Sequence, residues 1–197
     1  MKKLIITSIV VLTCFSAFAQ FEKGRILAGG NVGFSTHKYK SKSSNTTVTT
    51  GKSTSFNFSP KVGYFFINNL AAGLGVDLSS STYKSEGSDE KDTYTGFGIT
   101  PFVRYYLKPG IYFQGDFGVG PYKHKNVDGN VTTTSKYTSS RWSLGAGYAY
   151  FLNSNVAIEP FIGYQSTTDN YSSPDYKNLD SGLFINIGLQ VYLDPKK

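Results

Sequence analysis

Cysteine, methionine, tryptophan and histidine are scarce in this chain. Its 197 residues contain one Cys, one Met, one Trp and two His. Because Cys14 has no second cysteine to pair with, the sequence forms no internal disulfide and offers no set of thiolates for a metal. The two histidines, His37 and His124, do not form a cluster in the sequence. We therefore predict that the protein binds neither a cofactor nor a metal ion.

Long apolar runs are also missing after the first 19 residues. No later stretch reaches the roughly 20 apolar residues that a membrane-spanning helix needs. Tyr and Phe contribute 15 residues each and Gly contributes 21, while the mean hydropathy is −0.25. A membrane protein can have this composition only as a β-barrel, in which apolar residues occupy alternate positions.

The N-terminus has the three parts of a cleaved export signal. Residues 1–3 are basic at Lys2 and Lys3, residues 4–15 are apolar, and residues 16–19 have the small-x-small spacing that allows cleavage before Gln20. The apolar run of about 12 residues is too short for a membrane helix. We predict that residues 1–19 are removed as a signal peptide.

A lipoprotein is the alternative, because Cys14 lies close to the predicted cleavage site. Thr13 is a poor match for the residue before a lipidated cysteine, and the site at Ala19 is better placed. Residues 20–197 then have a length that suits one domain. Without a cysteine, this domain is compatible with an oxidising envelope compartment.

Apolar and polar residues alternate with a period of two in eight runs. In one of them, Leu74, Val76 and Leu78 alternate with Gly75 and Asp77. Such alternation predicts strands with one apolar face, and each run is long enough for a tilted strand to cross a bilayer. The eight runs are 25–35, 55–66, 70–80, 96–107, 111–120, 141–150, 156–165 and 183–193.

Short turns alternate with long polar segments between these runs. The short turns are 67–69, 108–110 and 153–155, and the long segments lie near 36–54, 81–93, 123–138 and 167–180. Transmembrane barrels have short periplasmic turns and long extracellular loops. The sequence therefore predicts an all-β fold, an eight-stranded antiparallel up-and-down transmembrane β-barrel with four extracellular loops.

The direction of the apolar face separates this fold from a soluble, lipocalin-like barrel, which would turn that face inward. Most of the 21 glycines share the polar face. Small residues suit the crowded inside of a narrow barrel. Aromatic residues also flank the aliphatic band at both ends, as they do at membrane interfaces. They are Phe66, Tyr105, Phe113 and Tyr150 near the short turns, and Phe34, Phe56, Trp142 and Tyr164 near the loops.

Three prolines fall within predicted strands. Pro60, Pro101 and Pro160 lie in the similar sequences SPKVGY, TPFVRY and EPFIGY. Proline cannot donate a ladder hydrogen bond, and a closed barrel has no free edge to receive it. We expect a bulge or weakened pairing at each proline, and a bulge would reverse the facing of nearby side chains.

The whole alternating region, residues 21–193, resembles the small OmpA/OmpX-type outer-membrane barrels of Gram-negative bacteria. Asn186-x-Gly188-x-x-Val191-x-Leu193 is similar to the C-terminal recognition signal of that class. It departs from the pattern in having Val191 and Leu193 where aromatic residues are common. The resemblance implies outer-membrane localisation, outer-membrane lipids as surroundings, and assembly by the barrel assembly machinery.

Six ionisable residues lie on the predicted inner face, and their charges cancel. An unpaired charge inside a barrel is costly, so we expect ion pairs. Two roles stay open, a structural salt-bridge network that fills the lumen and a gate or proton-conducting path. The six residues are Lys61, Asp77, Arg104, Asp116, Arg141 and Glu159. Four further inward residues, Phe65, Tyr106, Tyr112 and Phe151, are placed to close the periplasmic mouth.

The predicted loops alternate in charge. Segments 36–54 and 123–138 are basic, and segments 81–93 and 167–180 are acidic. The basic loops are suited to contact lipopolysaccharide phosphates, and solvated loops are the alternative. The charge pattern does not include a basic helix, so we predict no nucleic-acid binding. We expect a monomer.

Catalysis finds little support in the sequence. His124 near Asp128 is the best acid–base candidate, and no nucleophile accompanies it. We predict that the protein is not an enzyme. The leading hypothesis is a structural or surface-interaction protein, and the alternative is a narrow porin-like channel for small or amphipathic solutes.

Overall fold

The computed structural model describes residues 21–43, 46–107, 110–171 and 177–194. The predicted signal peptide, residues 1–19, lies outside this part of the chain. Within it, no helix is long and apolar enough to cross a membrane. The strands are β1 (Ile26–Ser43), β2 (Thr46–Ile67), β3 (Leu70–Ser85), β4 (Lys91–Tyr106), β5 (Ile111–Asp128), β6 (Val131–Tyr148), β7 (Tyr150–Phe151), β8 (Val156–Tyr171) and β9 (Lys177–Leu193).

The strands form one closed antiparallel barrel. Each strand from β1 to β5 pairs with the next, β8 pairs with β9, and β9 pairs with β1. The short segment β7 continues β6 beyond Ala149, and both pair with β8. The barrel therefore has eight strands, with β6 and β7 counted as one, and the predicted fold is confirmed.

The apolar face points outward along the barrel wall. Leu74 and Leu144 are 55% and 61% exposed, whereas Phe65 and Tyr106, on the opposite face, are buried. The soluble alternative requires the reverse arrangement. Residues on both predicted aromatic girdles are likewise exposed: Phe34, Phe56, Phe66, Tyr105, Phe113, Trp142, Tyr150 and Tyr164.

The three prolines interrupt pairing without changing the register. Between Phe58↔Leu78 and Lys61↔Gly75, the β2–β3 ladder skips two positions, one of them Pro60. The β4–β5 ladder is similarly interrupted around Pro101, and the side of Pro160 that faces β6 and β7 is unpaired. The expected disturbance is thus weakened pairing and not a bulge, because a missing N–H removes hydrogen bonds but inserts no residue. Side chains keep their predicted faces.

The predicted long loops are wrong in extent, because most of their residues belong to strands. Strand β5 continues to Asp128, and β6 begins at Val131. These segments are rich in Thr, Ser and Tyr, which favour strands, and the ladder that begins in the membrane continues through them. His37 and His124, predicted in loops, therefore lie on β1 and β5.

Strands β1 and β9 pair over a short length only. Their ladder runs from Ile26↔Leu193 to Gly30↔Leu189 and then stops, whereas β1 pairs with β2 along its whole length. Gly30 has a φ of +151°, which disfavours any other residue, and a Cβ there would lie 2.3 Å from the carbonyl oxygen of Ser59. Gly30 therefore marks the point where β1 leaves β9.

Candidate functional site in the barrel lumen

Arg104 on β4 forms the centre of a buried polar layer. Its Nη1 lies 2.6 Å from Oε2 of Glu159 on β8, and the two residues are 2% and 1% exposed. Its Nε and Nη2 donate to Oε1 of Gln114 on β5, at 3.0 and 2.7 Å. A buried ion pair with this many hydrogen bonds offsets much of the cost of removing both charges from water.

Three tyrosines complete this layer. Arg104 Nη1 donates to the hydroxyl of Tyr106 at 2.9 Å, and the guanidinium lies 4.0 Å from the ring centre of Tyr112. The hydroxyl of Tyr192 donates to Glu159, and it lies 2.8 Å from the hydroxyl of Tyr106. Side chains from β4, β5 and β9 therefore hold the ion pair together.

An aromatic plug lies between this layer and the short turns. Phe21 is buried and stacks on Tyr106, with ring centres 4.0 Å apart. The rings of Tyr192, Phe151 and Phe65 lie 5.7, 5.8 and 6.3 Å from Phe21. These five residues fill the end of the barrel, and we call them the aromatic plug.

Hydrogen bonds hold the segment that contains Phe21 and Lys23 against the first short turn. Its carbonyl oxygen accepts from the N–H of Asn69 at 2.7 Å, and the N–H of Lys23 donates to Oδ1 of Asn68 at 2.9 Å. Of the four aromatic residues predicted at this mouth, three belong to the plug. Tyr112 instead contacts Arg104 and lies 5.9 Å from the ring of Phe161.

A second ion pair lies apart from the first. Arg141 Nη2 is 3.0 Å from Oδ2 of Asp77, which also accepts from the hydroxyl of Thr100. Both charged residues are only partly buried. Asp116 joins the Arg104 layer indirectly, because its Oδ2 accepts from Nε2 of Gln114 at 2.9 Å. Five of the six predicted charges thus form two clusters and not one network.

Lys61 belongs to neither cluster. Among the described residues it makes no hydrogen bond and no ion pair within 4.0 Å, and its Nζ lies 5.8 Å from the ring centre of Phe102. Oδ1 of Asp116 is buried and likewise has no hydrogen-bond partner among them. Lys61 and Asp116 are therefore one positive and one negative group without a direct ionic partner.

A cavity of about 760 Å³ lies above the Arg104 layer. All six predicted lumen charges line it, and Arg104, Glu159 and Tyr112 form its floor toward the plug. The lumen is therefore open above this floor and filled by side chains below it. The interior of an eight-stranded barrel is just wide enough for side chains to fill it.

Further aromatic contacts occur on the strand extensions above this cavity. The rings of Tyr122 and Tyr137 stack at 5.6 Å, and those of Tyr137 and Tyr171 stack at 4.8 Å. These rings lie on the parts of the strands that extend beyond the apolar belt.

His124 stacks on Tyr94 with ring centres 4.2 Å apart. Its Nε2 lies 2.8 Å from Oδ1 of Asp92, so the predicted partner, Asp128, is wrong. A hydrogen bond from Asn126 lowers the pKa of Asp92. Among the described residues, no Ser, Thr or Cys side chain is hydrogen-bonded to His124 or Asp92. No group of three metal-ligating side chains occurs in that part of the chain.

Sequence reasoning missed Phe21, Gln114 and Tyr192. Gln114 and Tyr192 share the inward parity of their strands, since Tyr192 follows Gln190 at the alternate position. The alternation alone was enough to place these two side chains inside. Phe21 precedes the first alternating run, so the sequence pattern carries no signal for it.

An apolar outer face around an ion-paired lumen defines a transmembrane β-barrel protein. The chain matches the outer membrane protein β-barrel domain over residues 18–196, and it belongs to that family. The resemblance to small outer-membrane barrels is therefore confirmed. No curated protein sequence matches the chain significantly.

Two solved structures show the same fold at low identity, and a third is similar at a lower score. Ail, the attachment invasion locus protein of Yersinia pestis, is 13% identical with a TM-score of 0.53, over 87% of this chain and 99% of its own. The translocator domain of the autotransporter NalP from Neisseria meningitidis is 12% identical with a TM-score of 0.50, over 96% of this chain and 69% of its own. The neisserial surface protein NspA is 19% identical with a TM-score of 0.45, over 85% of this chain and 95% of its own.

Proposed function

We propose that this outer-membrane barrel is a closed, non-enzymatic support that presents a binding surface outside the cell. The observation that carries the proposal is the filled lumen below the cavity, where the Arg104–Glu159 pair and the aromatic plug occupy the barrel end. Filling of this kind opposes the alternative, a narrow channel for small solutes. It rigidifies the wall from which the strands extend.

The strand extensions support the presence of a binding surface outside the cell. The ladder of β5 and β6 continues from Gly120↔Ser139 to Asp128↔Val131, beyond the last exposed apolar residue of β5, Val119. At a rise of about 3.4 Å per residue, these extensions reach roughly 25 Å along the strand beyond the apolar belt. Paired strands present side chains in fixed positions, which lowers the entropy cost of binding a partner.

Trimming one hairpin tests this role. Deleting residues 121–128 together with 131–138 removes equal lengths from β5 and β6 and keeps the turn at Gly129 and Asn130. We expect cells with the trimmed protein to retain a folded barrel, measured by heat-modifiable gel mobility, and to lose adhesion to surfaces or to one another. Unchanged adhesion after each of the extended hairpins has been trimmed would contradict the proposal. A control variant, Asp128→Asn, removes a tip charge without shortening the hairpin.

A further inference from the structure

The seam between β1 and β9 is incomplete. Its ladder ends at Gly30↔Leu189, so the facing edges from Asn31 and from Gly188 onward have no strand partner among the described residues. All other neighbouring strands pair well beyond this level of the wall. Since Gly30 has a conformation suited to glycine, the divergence is encoded in the sequence.

This open part of the seam lies within the apolar belt. Val32 on β1 is 71% exposed, and Ile185 and Ile187 on β9 are 76% and 66% exposed. Backbone N–H and C=O groups in hydrocarbon are costly unless they are paired or line a cavity. The seam therefore requires either water from the lumen or an occupant with polar groups.

The lumen cavity reaches the seam. The same outward residues, Val32, Ile185 and Ile187, border the cavity that Lys61 and Asp116 line from the inside. These three residues lie on the unpaired edges of β1 and β9, so the cavity extends as far as the open seam. The Arg104 layer closes it below.

The charges inside the cavity define what kind of molecule it suits. Lys61 contributes an ammonium group and Asp116 a carboxylate to the lining, and neither has an ion pair within 4.0 Å among the described residues. The Asp116 carboxylate would repel a purely anionic ligand, and the Lys61 ammonium would repel a purely cationic one. A ligand with both charges satisfies both groups. The amide side chains of Asn31, Asn57 and Asn186 add neutral hydrogen-bonding groups to the lining.

We propose that the seam is a lateral portal and that the lumen binds the zwitterionic headgroup of a phospholipid. The phosphate pairs with Lys61, the ammonium pairs with Asp116, and an acyl chain leaves through the seam between Val32 and Ile187. Opposite charges paired away from bulk water form charge-assisted hydrogen bonds. The apolar edges of the portal contact the acyl chain. The charged headgroup therefore lies among charged side chains and the acyl chain among apolar ones.

Native mass spectrometry of the folded full chain in detergent tests the headgroup preference. Three probes share one acyl chain: lysophosphatidylethanolamine, lysophosphatidylglycerol and monoacylglycerol. We expect the zwitterionic probe to be retained about tenfold more strongly than lysophosphatidylglycerol, which lacks the ammonium, the ratio that corresponds to one charge-assisted hydrogen bond. Monoacylglycerol lacks both charged groups, so we expect its retention to be weaker by about a hundredfold. Equal retention of all three probes would overturn the proposal.

Matched variants identify the residues responsible. We expect Lys61→Met to weaken retention of the zwitterionic probe about tenfold, whereas Lys52→Met, on an exposed site of the same strand, leaves it unchanged. Asp116→Asn should weaken it similarly and shift the preference toward the anionic probe, with exposed Asp128→Asn as its control. The headgroup assignment is wrong if the lumen variants behave like their controls. Gel mobility after heating checks that each variant is folded.

Paired cysteines test the portal itself in a Cys14→Ser background. Ala28 and Val191 are direct ladder partners, so their double cysteine variant should oxidise to a disulfide. Val32 and Ile187 would be partners only if the ladder continued. We expect their double cysteine variant to stay reduced and to react with a maleimide. Equal oxidation of the two pairs would show a closed seam and overturn the portal.

Discussion

Arg104 is the residue on which the lumen depends most. Its guanidinium has donors toward Glu159, Gln114 and Tyr106, and almost none of it is exposed to solvent. In such surroundings the loss of one partner leaves a charge that neither water nor protein compensates. The Arg141–Asp77 pair has the same chemistry but is partly exposed, so water can replace either partner.

The first prediction compares these two arginines. Arg104→Met should lower the free energy of unfolding by about 3–5 kcal/mol, because Glu159 remains buried without its partner. The double variant Arg104→Met/Glu159→Met should recover part of this loss. Arg141→Met should cost about 1 kcal/mol or less. Denaturant unfolding in lipid vesicles measures all three; equal losses for the two arginines would contradict the assignment.

Close contact between neighbouring strands also depends on single glycines. A Cβ on Gly120 would lie 1.8 Å from the carbonyl oxygen of Phe97, which is backbone and cannot move aside alone. A Cβ on Gly33 would lie 3.9 Å from its nearest neighbour, Asn57. Glycine is therefore required by packing at the first position and not at the second.

The second prediction uses this difference. Gly120→Ala should lower the free energy of unfolding by about 1–3 kcal/mol, because β4 and β5 must separate. Gly33→Ala should leave stability unchanged or raise it by less than about 1 kcal/mol through a less flexible unfolded chain. Unfolding curves under one lipid condition compare the two. A smaller loss for Gly120→Ala than for Gly33→Ala would show that the strand contact is misplaced.

The period-two pattern was sufficient to place the lumen charges on one face, but not to pair them. Arg104 and Glu159 lie on β4 and β8, which are not neighbours in the sheet, so their contact depends on the stagger of the closed barrel. Stagger is set by all strands together. For this reason Asp116, on the neighbouring strand β5, was as reasonable a partner for Arg104 as Glu159.

At the scale of strands, the sequence pattern identified the membrane part and missed the extensions. Inside the belt one face must be apolar, so alternation is visible. Beyond it, both faces of β5 and β6 contact water, and residues such as Lys123, Lys125 and Thr134 no longer alternate with apolar ones. The sequence pattern therefore predicted loops for these polar segments, although Thr, Ser and Tyr favour strands.

The third prediction concerns the orientation of these elements. A peptide tag inserted after Asn130, at the β5–β6 turn, should be accessible to protease on intact cells, and a tag after Asn68 should not. In the untagged protein, trypsin should cleave slowly after Lys123 and Lys125, because both lie in a paired ladder. Accessibility at Asn68 alone would reverse the orientation. Rapid cleavage at both lysines would show that the extension is a loop.

At the scale of the molecule, strand number and the outward apolar face followed from the sequence. The closed end did not follow completely, since Phe21 lies before the first strand and completes the plug from outside the pattern. The short β1–β9 ladder was equally invisible, because the apolar alternation of β9 continues unchanged past Leu189. Both features arise from how the barrel closes, which no single strand determines.

The fourth prediction concerns the closure of the lumen at its periplasmic end. Planar-bilayer recording of the refolded protein should show no stable conductance steps, because the plug and the Arg104 layer fill that end. A variant combining Phe21→Ala, Phe65→Ala and Tyr106→Ala should produce steps if it still folds by gel mobility. Stable ion-conducting steps from the unaltered protein, comparable to those of the variant, would contradict a closed barrel and favour a channel.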